Sequence, residues 1–379
     1  MEKVGIVGVG MHRFGKFPNL TLTEMGVEAC VQALRDSGLD KRRIGACVVG
    51  NVGGGMVPGQ KVLAELGLAG IPLINVENAC ASAGTALHVA WSFVASGRYE
   101  AALALGLEQM SRTIEGTIPL GGDSLELQMG MMMPGKFALV ARKHMELYRT
   151  SLQQLAAVSV KNHRHGALNP LAQYRKEFTV EEVLSSPLIA DPLTLLQCSP
   201  TGDGAAAVVL CSAREAARAS QPIVWIEASV LTSGTYEVGP RDMTSYDQTR
   251  RAAAAAYEAA GCGPEEIDVV EVHDGFTISE IIHSEDLGFF PKGEGGPAAE
   301  SGATAIGGRI PINPSGGLLA RGHPIGATGL AQIAELVWQL RGQAGSRQVD
   351  GAKVGLAHCM GGLVQGLDAA ACTVHILKC

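Results

Sequence analysis

Aromatic side chains are scarce in this chain, at 4% of its 379 residues, and charged ones make up only 18% with a formal net charge of −7. That acidic balance excludes a general affinity for phosphate backbones, so an anionic ligand would need a local basic patch. None of the nine cysteines forms a CxxC pair and their spacing is irregular, which excludes a disulfide framework and suits reduced thiols. No uninterrupted apolar stretch reaches the length of a membrane span. The opening MEKVGIVGVGMHRFG is too short in its apolar part for a secretory leader, and HILKC is no peroxisomal tripeptide. These absences lead us to expect a cytoplasmic protein whose partners include neither membrane nor nucleic acid. VGIVGVG also lacks the spacing of a full dinucleotide fingerprint and reads as a glycine-bearing strand.

What is abundant is glycine, with 49 copies, in a chain that is 46% hydrophobic. Such a composition supports a sizeable core of close-packed α/β layers with many tight turns. Within it the chain repeats itself. GVEACVQALRDSGLDKRRIGACVVG reads as helix, glycine stop, loop and strand, and RAAAAAYEAAGCGPEEIDVVEVHDG has the same order. Placing Ser37-Gly38 on Ala260-Gly261 puts Ile44 on Ile267 and Val49 on Val272 without a gap. One such match fits either duplication or the coincidence of two common units. A second pair favours duplication: IPLINVENACASAGTALHVAWSFVASG and RIPINPSGGLLARGHPIGATGLAQIAELVWQLRG are both strand, turn and helix. Between the copies, from about residue 116 to 195, the character changes. A methionine-rich turn at Met129–Met133, a helix and the polar run KNHRHGALNP have no place in the repeat and read as an inserted loop domain.

Chemically competent side chains sit at the junctions. Cys80 stands between a strand end and a helix of small and apolar residues. A buried structural thiol is one reading; the other is a nucleophile facing unpaired N–H groups and the positive end of the helix dipole. His323 is bracketed by Gly316, Gly317, Gly322, Gly326 and Gly329, a constraint that a solvated turn histidine does not need. His273 follows the strand IDVVEV, where side chains of α/β folds project into the ligand crevice. Its neighbour Asp274 reads as a cap for the next helix, and His283 on that helix as structural. Cys359, in VGLAHCMGG, is on local grounds a small hydrophobe beside a turn whose N–H groups are free to donate. His358-Cys359 has no partner pair at zinc spacing, so no metal is expected. KNHRHGALNP reads as a solvated basic face or as a receiver of ligand phosphates.

Taken together, NACASAG, HDGFTISEIIHSEDLGF, NPSGGLLARGHPIGATG and HCMGG occur in the order and spacing of a thiolase, and the chain resembles that family from VGIVGVG to its last strand. Histidine at 273 makes it similar to the sterol-carrier-type and archaeal-type branch. The resemblance implies a five-layered αβαβα fold of two duplicated halves, residues 1–230 and 231–379, with the insert at about 116–195 helping to bind coenzyme A. It implies that Cys80 is acylated, that His323 activates it, that His273 lines the same pocket and that Cys359 moves a proton on the second substrate. The backbone N–H groups of Cys80 and Gly361 would form the oxyanion hole. One departure stands out: Gly275 replaces the cysteine that often follows the HD pair in this branch, so the second acid/base falls to Cys359.

The expected activity is therefore that of an acyl-CoA C-acetyltransferase, with coenzyme A thioesters as substrates and no permanently bound cofactor. Two other functions share these residues. One is a decarboxylative ketoacyl synthase, which needs Cys80, His273 and His323 but not Cys359. The other is an inactive scaffold subunit paired with a small protein bearing a zinc ribbon and an OB-fold. A homodimer or tetramer is the assembly the resemblance implies.

Overall fold

The computed structural model describes residues 2–114, 116–118, 125–235, 242–364 and 369–379. The first half runs β1 (Val4–Met11), α1 (Leu22–Ser37), β2 (Ala46–Gly50), α2 (Pro58–Leu66), β3 (Leu73–Val76), α3 (Ser82–Ala95) and β4 (Ala101–Gln109). An insert follows, with α4 (Met133–Tyr148), α5 (Leu152–Ala167) and a small hairpin of β5 (Leu188–Ala190) and β6 (Leu193–Thr194). The chain then makes β7 (Asp203–Ser212), β8 (Val224–Thr232), α6 (Asp247–Ala260) and β9 (Val269–Glu271). It closes with α7 (Thr277–Asp286), the short α8 (Gly317–Ala320), α9 (Thr328–Leu340), β10 (Val354–Gly361) and β11 (Ala371–Lys378).

Strand order shows the repeat more plainly than sequence does. Nine strands form one sheet, β3-β2-β4-β7-β1-β8-β11-β10-β9, and the pair β1–β8 is its pseudo-two-fold. Outward from that pair, each side reads antiparallel, antiparallel, parallel, through β7, β4 and β2 on one side and β11, β10 and β9 on the other. Beyond β2 lies β3, in parallel; beyond β9 the equivalent strand, expected at RIPINP, shrinks to a single parallel bridge between Val270 and Ile312. Strand β8, the partner of β1 across the pseudo-two-fold, spans Val224–Thr232.

Local chemistry explains the match of Ser37-Gly38 with Ala260-Gly261. Gly38 and Gly261 end α1 and α6 in the left-handed conformation, at φ 67° and 64°, where a side chain would be strained. Each is followed by a three-residue 3-10 turn and then by a strand. VGIVGVG has a packing explanation: a Cβ on Gly8 or Gly10 would lie 2.2 or 2.3 Å from a carbonyl oxygen of α1. These glycines let helix and strand touch; they hold no phosphate.

The layers follow from burial. Helices α1 and α2 cover the outer face of the first half, and α6 packs on β8 and β11 of the second. Between the halves lie α3 and α9, and their apolar residues form one core with strands from both copies. Every residue of α9 except Trp338 is buried, and its polar side chains have internal partners: Gln332 donates to the His358 carbonyl, Glu335 accepts from Arg347 and Gln339 donates to the Arg347 carbonyl. Strands β1, β4 and β7 are buried along their whole length because both faces are covered, so they read as unbroken apolar runs. No helix among the described residues is long and apolar enough to cross a membrane.

The two central helices meet at glycine on glycine. A Cβ on Gly329 would lie 2.6 Å from the backbone nitrogen of Gly84. Helix propensity alone would favour alanine there by about 1 kcal/mol, so the sign of a substitution reports the contact. Gly329→Ala is expected to destabilise the protein by about 1–3 kcal/mol, measured as a lower melting temperature; an unchanged or raised value would show that the helices have room to part.

Candidate active site

Cys80 sits in a strained turn just ahead of α3. Ala79 before it adopts φ 47°, an uncommon conformation for a residue with a side chain. The first turn of the helix holds it there: Ser82 Oγ accepts from Asn78 N at 2.9 Å and donates to the Ala79 carbonyl at 2.6 Å. Cys80 is itself two residues outside the helix, whose N-cap is Ala81. The N–H groups at its sulfur are its own and that of Gly362, rather than those of the helix end. Gly361, which the family resemblance pairs with Cys80 for the oxyanion hole, ends β10 one residue earlier, and its lack of a side chain has a steric duty besides. A Cβ there would lie 2.1 Å from the Asn78 carbonyl oxygen and 2.4 Å from Ala81 N. Glycine at 361 brings β10 onto the Cys80 turn, and Gly362, at φ 67°, turns its N–H toward the sulfur.

Three of the other sequence-derived residues converge on this point. His323 Nε2 lies 3.3 Å from Cys80 Sγ. Its Nδ1 contacts Thr328 Oγ1 at 2.8 Å, and that hydroxyl donates to the Pro324 carbonyl at 3.0 Å. With its one proton committed, Thr328 must accept from His323, so the imidazole proton is assigned to Nδ1 and Nε2 presents a lone pair to the thiol. The rings of His273 and His323 stand edge to face, with centroids 5.3 Å apart. Cys359 Sγ donates to the Cys80 carbonyl oxygen at 3.0 Å, which puts the two thiols on either side of one backbone turn.

Burial decides the charge state. Desolvation pushes the Cys80 thiol up to about 12, outweighing the two N–H groups that favour the thiolate, and the carboxylates of Glu108 and Glu77 push the same way. Burial likewise holds His323 well below its ordinary value of 6.5, with His273 and Arg321 adding to the effect. His273 is pushed down to about 4 and Cys359 well above 9, both chiefly by burial. The resting pair is thus a neutral thiol and a neutral imidazole, ready to pass a proton when an electrophile arrives.

A cavity of about 360 Å³ opens onto Cys80, His273 and His323. Apolar side chains dominate its wall, among them Phe276 stacked on Phe137 of the insert at 4.5 Å. Met133 lines it, whereas Met129, at the other end of the methionine segment, is 79% exposed. Lys16 is an exposed cation on its border.

Several residues that position the site were misread or missed in sequence. KNHRHG is neither a solvated face nor a phosphate receiver over most of its length. Lys161 is 6% exposed and pairs with Glu280 at 2.8 Å, and Asn162 donates to Glu280 and Asp274 at 2.8 and 2.7 Å. Asp274 does cap a helix, but the distant α8: it accepts from Leu318 N at 2.7 Å and Leu319 N at 3.4 Å. Asn313 joins the same group, donating to Glu280 and accepting from Val272 N. The segments bearing His273 and His323 are thereby fastened to each other and to α5. His283 is fully buried against His358 and Tyr246 and does not reach the cavity wall. The local signal for Thr328 was its place five residues after His323; the Asp274–α8 contact is non-local and left none.

A thiol and an imidazole in contact at the base of a cavity, with a second thiol behind, define a site suited to covalent acyl transfer. The chain belongs to the thiolase family: residues 4–214 match the thiolase N-terminal domain and residues 233–375 the thiolase C-terminal domain-like family. It is 46% identical over 371 residues to acetyl-CoA acetyltransferase of Methanothermobacter thermautotrophicus, covering 96% of this chain and 97% of that protein. It is 40% identical over 367 residues to benzoylsuccinyl-CoA thiolase subunit BbsB of Thauera aromatica, with 95% of each covered. Human sterol carrier protein 2 is 39% identical over 383 residues, 95% of this chain and 70% of that one. Two solved structures share the fold: an Ltp2–ChsH2(DUF35) aldolase (TM-score 0.87, 24% identity) and human mitochondrial 3-ketoacyl-CoA thiolase (TM-score 0.74, 18% identity). In both cases the match covers 100% of this chain and 98% of the other.

The tautomer argument gives a sharp expectation for Thr328. Thr328→Val should slow acylation of Cys80 on the order of tenfold or more by releasing the wrong His323 tautomer, while Thr328→Ser retains the rate. Because His323 protonates only well below 6.5, the wild-type acylation rate should show no inflection near that pH. An inflection there, or a Thr328→Val enzyme as fast as wild type, would refute the assignment.

Proposed function

We propose that this protein is an acyl-CoA C-acetyltransferase that makes or cleaves a 3-ketoacyl-CoA such as acetoacetyl-CoA by ping-pong transfer through Cys80. The observation that carries the reading is the pair of contacts on Cys80: His323 Nε2 at 3.3 Å from its sulfur and Cys359 Sγ at 3.0 Å from its carbonyl oxygen. Family membership and the acetyltransferase and thiolase names of the relatives support it.

In the first half-reaction, Cys80 sulfur adds to the thioester carbonyl as its proton moves to His323 Nε2. The oxyanion is received by the N–H of Cys80 and by the Gly361–Gly362 turn, donors fixed before the charge appears. Coenzyme A leaves as a thiol with the proton of Cys359, and the acyl group stays on Cys80. In the second, the Cys359 thiolate removes an α-proton from an incoming acetyl-CoA, and His273 and His323 face the enolate oxygen. The enolate carbon attacks the acyl-Cys80 carbonyl; the 3-ketoacyl-CoA departs, and Cys80 recovers its proton from His323. One thiol stays loaded while another group handles the proton, which is why two are needed.

The placement of Cys359 disfavours the decarboxylative alternative, which generates its carbanion without that thiol. The intact Cys80–His323 contact disfavours a purely scaffolding role. We place the enzyme in cytoplasmic lipid metabolism. A small zinc-ribbon and OB-fold protein is a candidate partner, supported by the structural neighbour Ltp2–ChsH2(DUF35) aldolase, whose name joins two proteins. For the homodimer, β3 offers an unpaired edge on which Ile74 is 41% exposed, beside exposed Met56 and Val57. Light scattering should then give twice the chain mass, with Ile74→Lys shifting the population toward single chains; a wild-type monomer overturns the dimer.

Brief incubation with acetyl-CoA or acetoacetyl-CoA should add one acetyl group to Cys80, seen by peptide mass spectrometry, and free coenzyme A should remove it. Cys80→Ala should give no adduct. Cys359→Ala should still acylate yet lose condensation by on the order of 10²–10⁴-fold. No adduct from either donor, or condensation that survives loss of Cys359, would overturn the mechanism.

A further inference from the structure

Among the described residues, one group of three brings metal-type donor atoms together: Cys80, His273 and His323 each offer one atom, all within 4.8 Å of one another. We propose that this triangle is a binding site for a thiophilic divalent cation of the zinc class, and that the cation competes with the acyl group for Cys80.

The donor set suits such an ion, since one sulfur and two imidazole nitrogens leave a fourth tetrahedral position open toward the cavity. Zinc bonds of about 2.3 Å to sulfur and 2.0–2.1 Å to nitrogen separate tetrahedral ligands by roughly 3.4–3.6 Å. Cys80 Sγ and His323 Nε2 already stand at 3.3 Å. His273 needs only a shift of about 1 Å to complete the triangle.

An independent observation concerns His273. Its Nε2 has no hydrogen-bond partner although the residue is only 8% exposed, and a buried polar atom left unpaired calls for a ligand. The outer contacts are also those of a metal site. Thr328 holds His323 with its Nε2 lone pair toward the triangle, the orientation that ligating histidines take from their hydrogen-bond partners.

Binding is a balanced, redox-neutral exchange. The Cys80 S–H bond breaks, its proton passes to solvent, and one S–metal and two N–metal bonds form. The sulfur lone pair that would attack a thioester is then engaged, so acylation and metal binding exclude each other. The inference goes beyond the proposed reaction, although it shares Cys80, His323 and His273 with it.

The test uses the full chain carrying Cys379→Ser, which removes an exposed thiol remote from the site, titrated with Co²⁺ alone. One equivalent should bring up thiolate-to-cobalt absorption and the visible bands of a tetrahedral ion, both abolished by Zn²⁺. Cys80→Ala should remove them, and so should prolonged alkylation of the Cys379→Ser protein with iodoacetamide, verified at Cys80 by peptide mass spectrometry, which does not depend on how a variant folds. His273→Phe should weaken binding at least about tenfold. Labelling of Cys80 by acetyl-CoA is followed in the same sample and should fall as metal binds. A metal-free chain that acylates normally but gives no thiolate-to-cobalt band overturns the proposal, as does a band that persists without Cys80. A cobalt band in a chain that no acyl donor labels would instead leave the metal site standing and remove the acetyltransferase reading.

Discussion

The contact between Gly84 of α3 and Gly329 of α9 is the constraint on which the catalytic geometry hangs. One helix carries Cys80 ahead of its first turn; the other begins at Thr328 and fixes His323 through it. Neither residue can reach the other unless the two helices approach backbone to backbone, and only glycine permits that. Gly106 of β4 completes the arrangement, since a Cβ there would lie 2.8 Å from the Gly326 carbonyl oxygen and 2.9 Å from the Ala83 Cβ. The abundance of glycine is thus concentrated in effect where the copies press together, and the hydrogen bond between thiol and imidazole is a product of that pressing.

Close packing also sets the electrostatics. Taking Cys80 and His323 out of water disfavours their charged forms, and the two backbone N–H groups at the sulfur do not reverse this. A thiol kept protonated is a poor target for chance oxidants and alkylating agents, because the thiolate is the reactive species. It gains nucleophilicity only when a carbonyl carbon lies close enough for proton transfer and bond formation to proceed together. The buried ions beneath the site do different work: Lys161, Glu280, Asn162, Asp274 and Asn313 tie three remote stretches of chain into one rigid floor. Removing a single member would strand a buried charge or polar group, which is far more costly than losing a surface pair.

The layered α/β repeat was legible in sequence because its signals are local. Gly38 and Gly261 stop helices by their own backbone conformation, and strands buried on both faces announce themselves as continuous apolar runs. Cys80, His273 and His323 were legible as candidates because each stands near a strand or helix end marked by glycine or polar neighbours, whereas Cys359, inside β10, read locally as a small hydrophobe and became a candidate only through the family resemblance. What failed to show was anything defined by a distant partner. Lys161 looked solvated since nothing within KNHRHG reveals Glu280, more than a hundred residues away. Asp274 looked like the cap of the helix that follows it, while its acceptor role is to α8, some forty residues on. Gly362 as a donor at the Cys80 sulfur left no sequence signal, nor did the steric demand on Gly361, since both exist only once β10 meets the Cys80 turn.

The two ends of the sheet are not alike, although the repeat would make them so. At one end β3 is a true strand with its outer backbone groups unclaimed. At the other, the corresponding chain makes a single bridge to β9, at Ile312, closed by backbone bonds of Pro311 and Asn313 with Val270, and is buried from Ile310 to Asn313. The sheet can therefore be lengthened in one direction only. Copies that add strand to strand through β3 use up their single open margin in the first union and present a closed margin on each side. On the proposed pairing, growth by that route would terminate at a pair, because the strand lost from the second copy leaves no second margin among the described residues to extend.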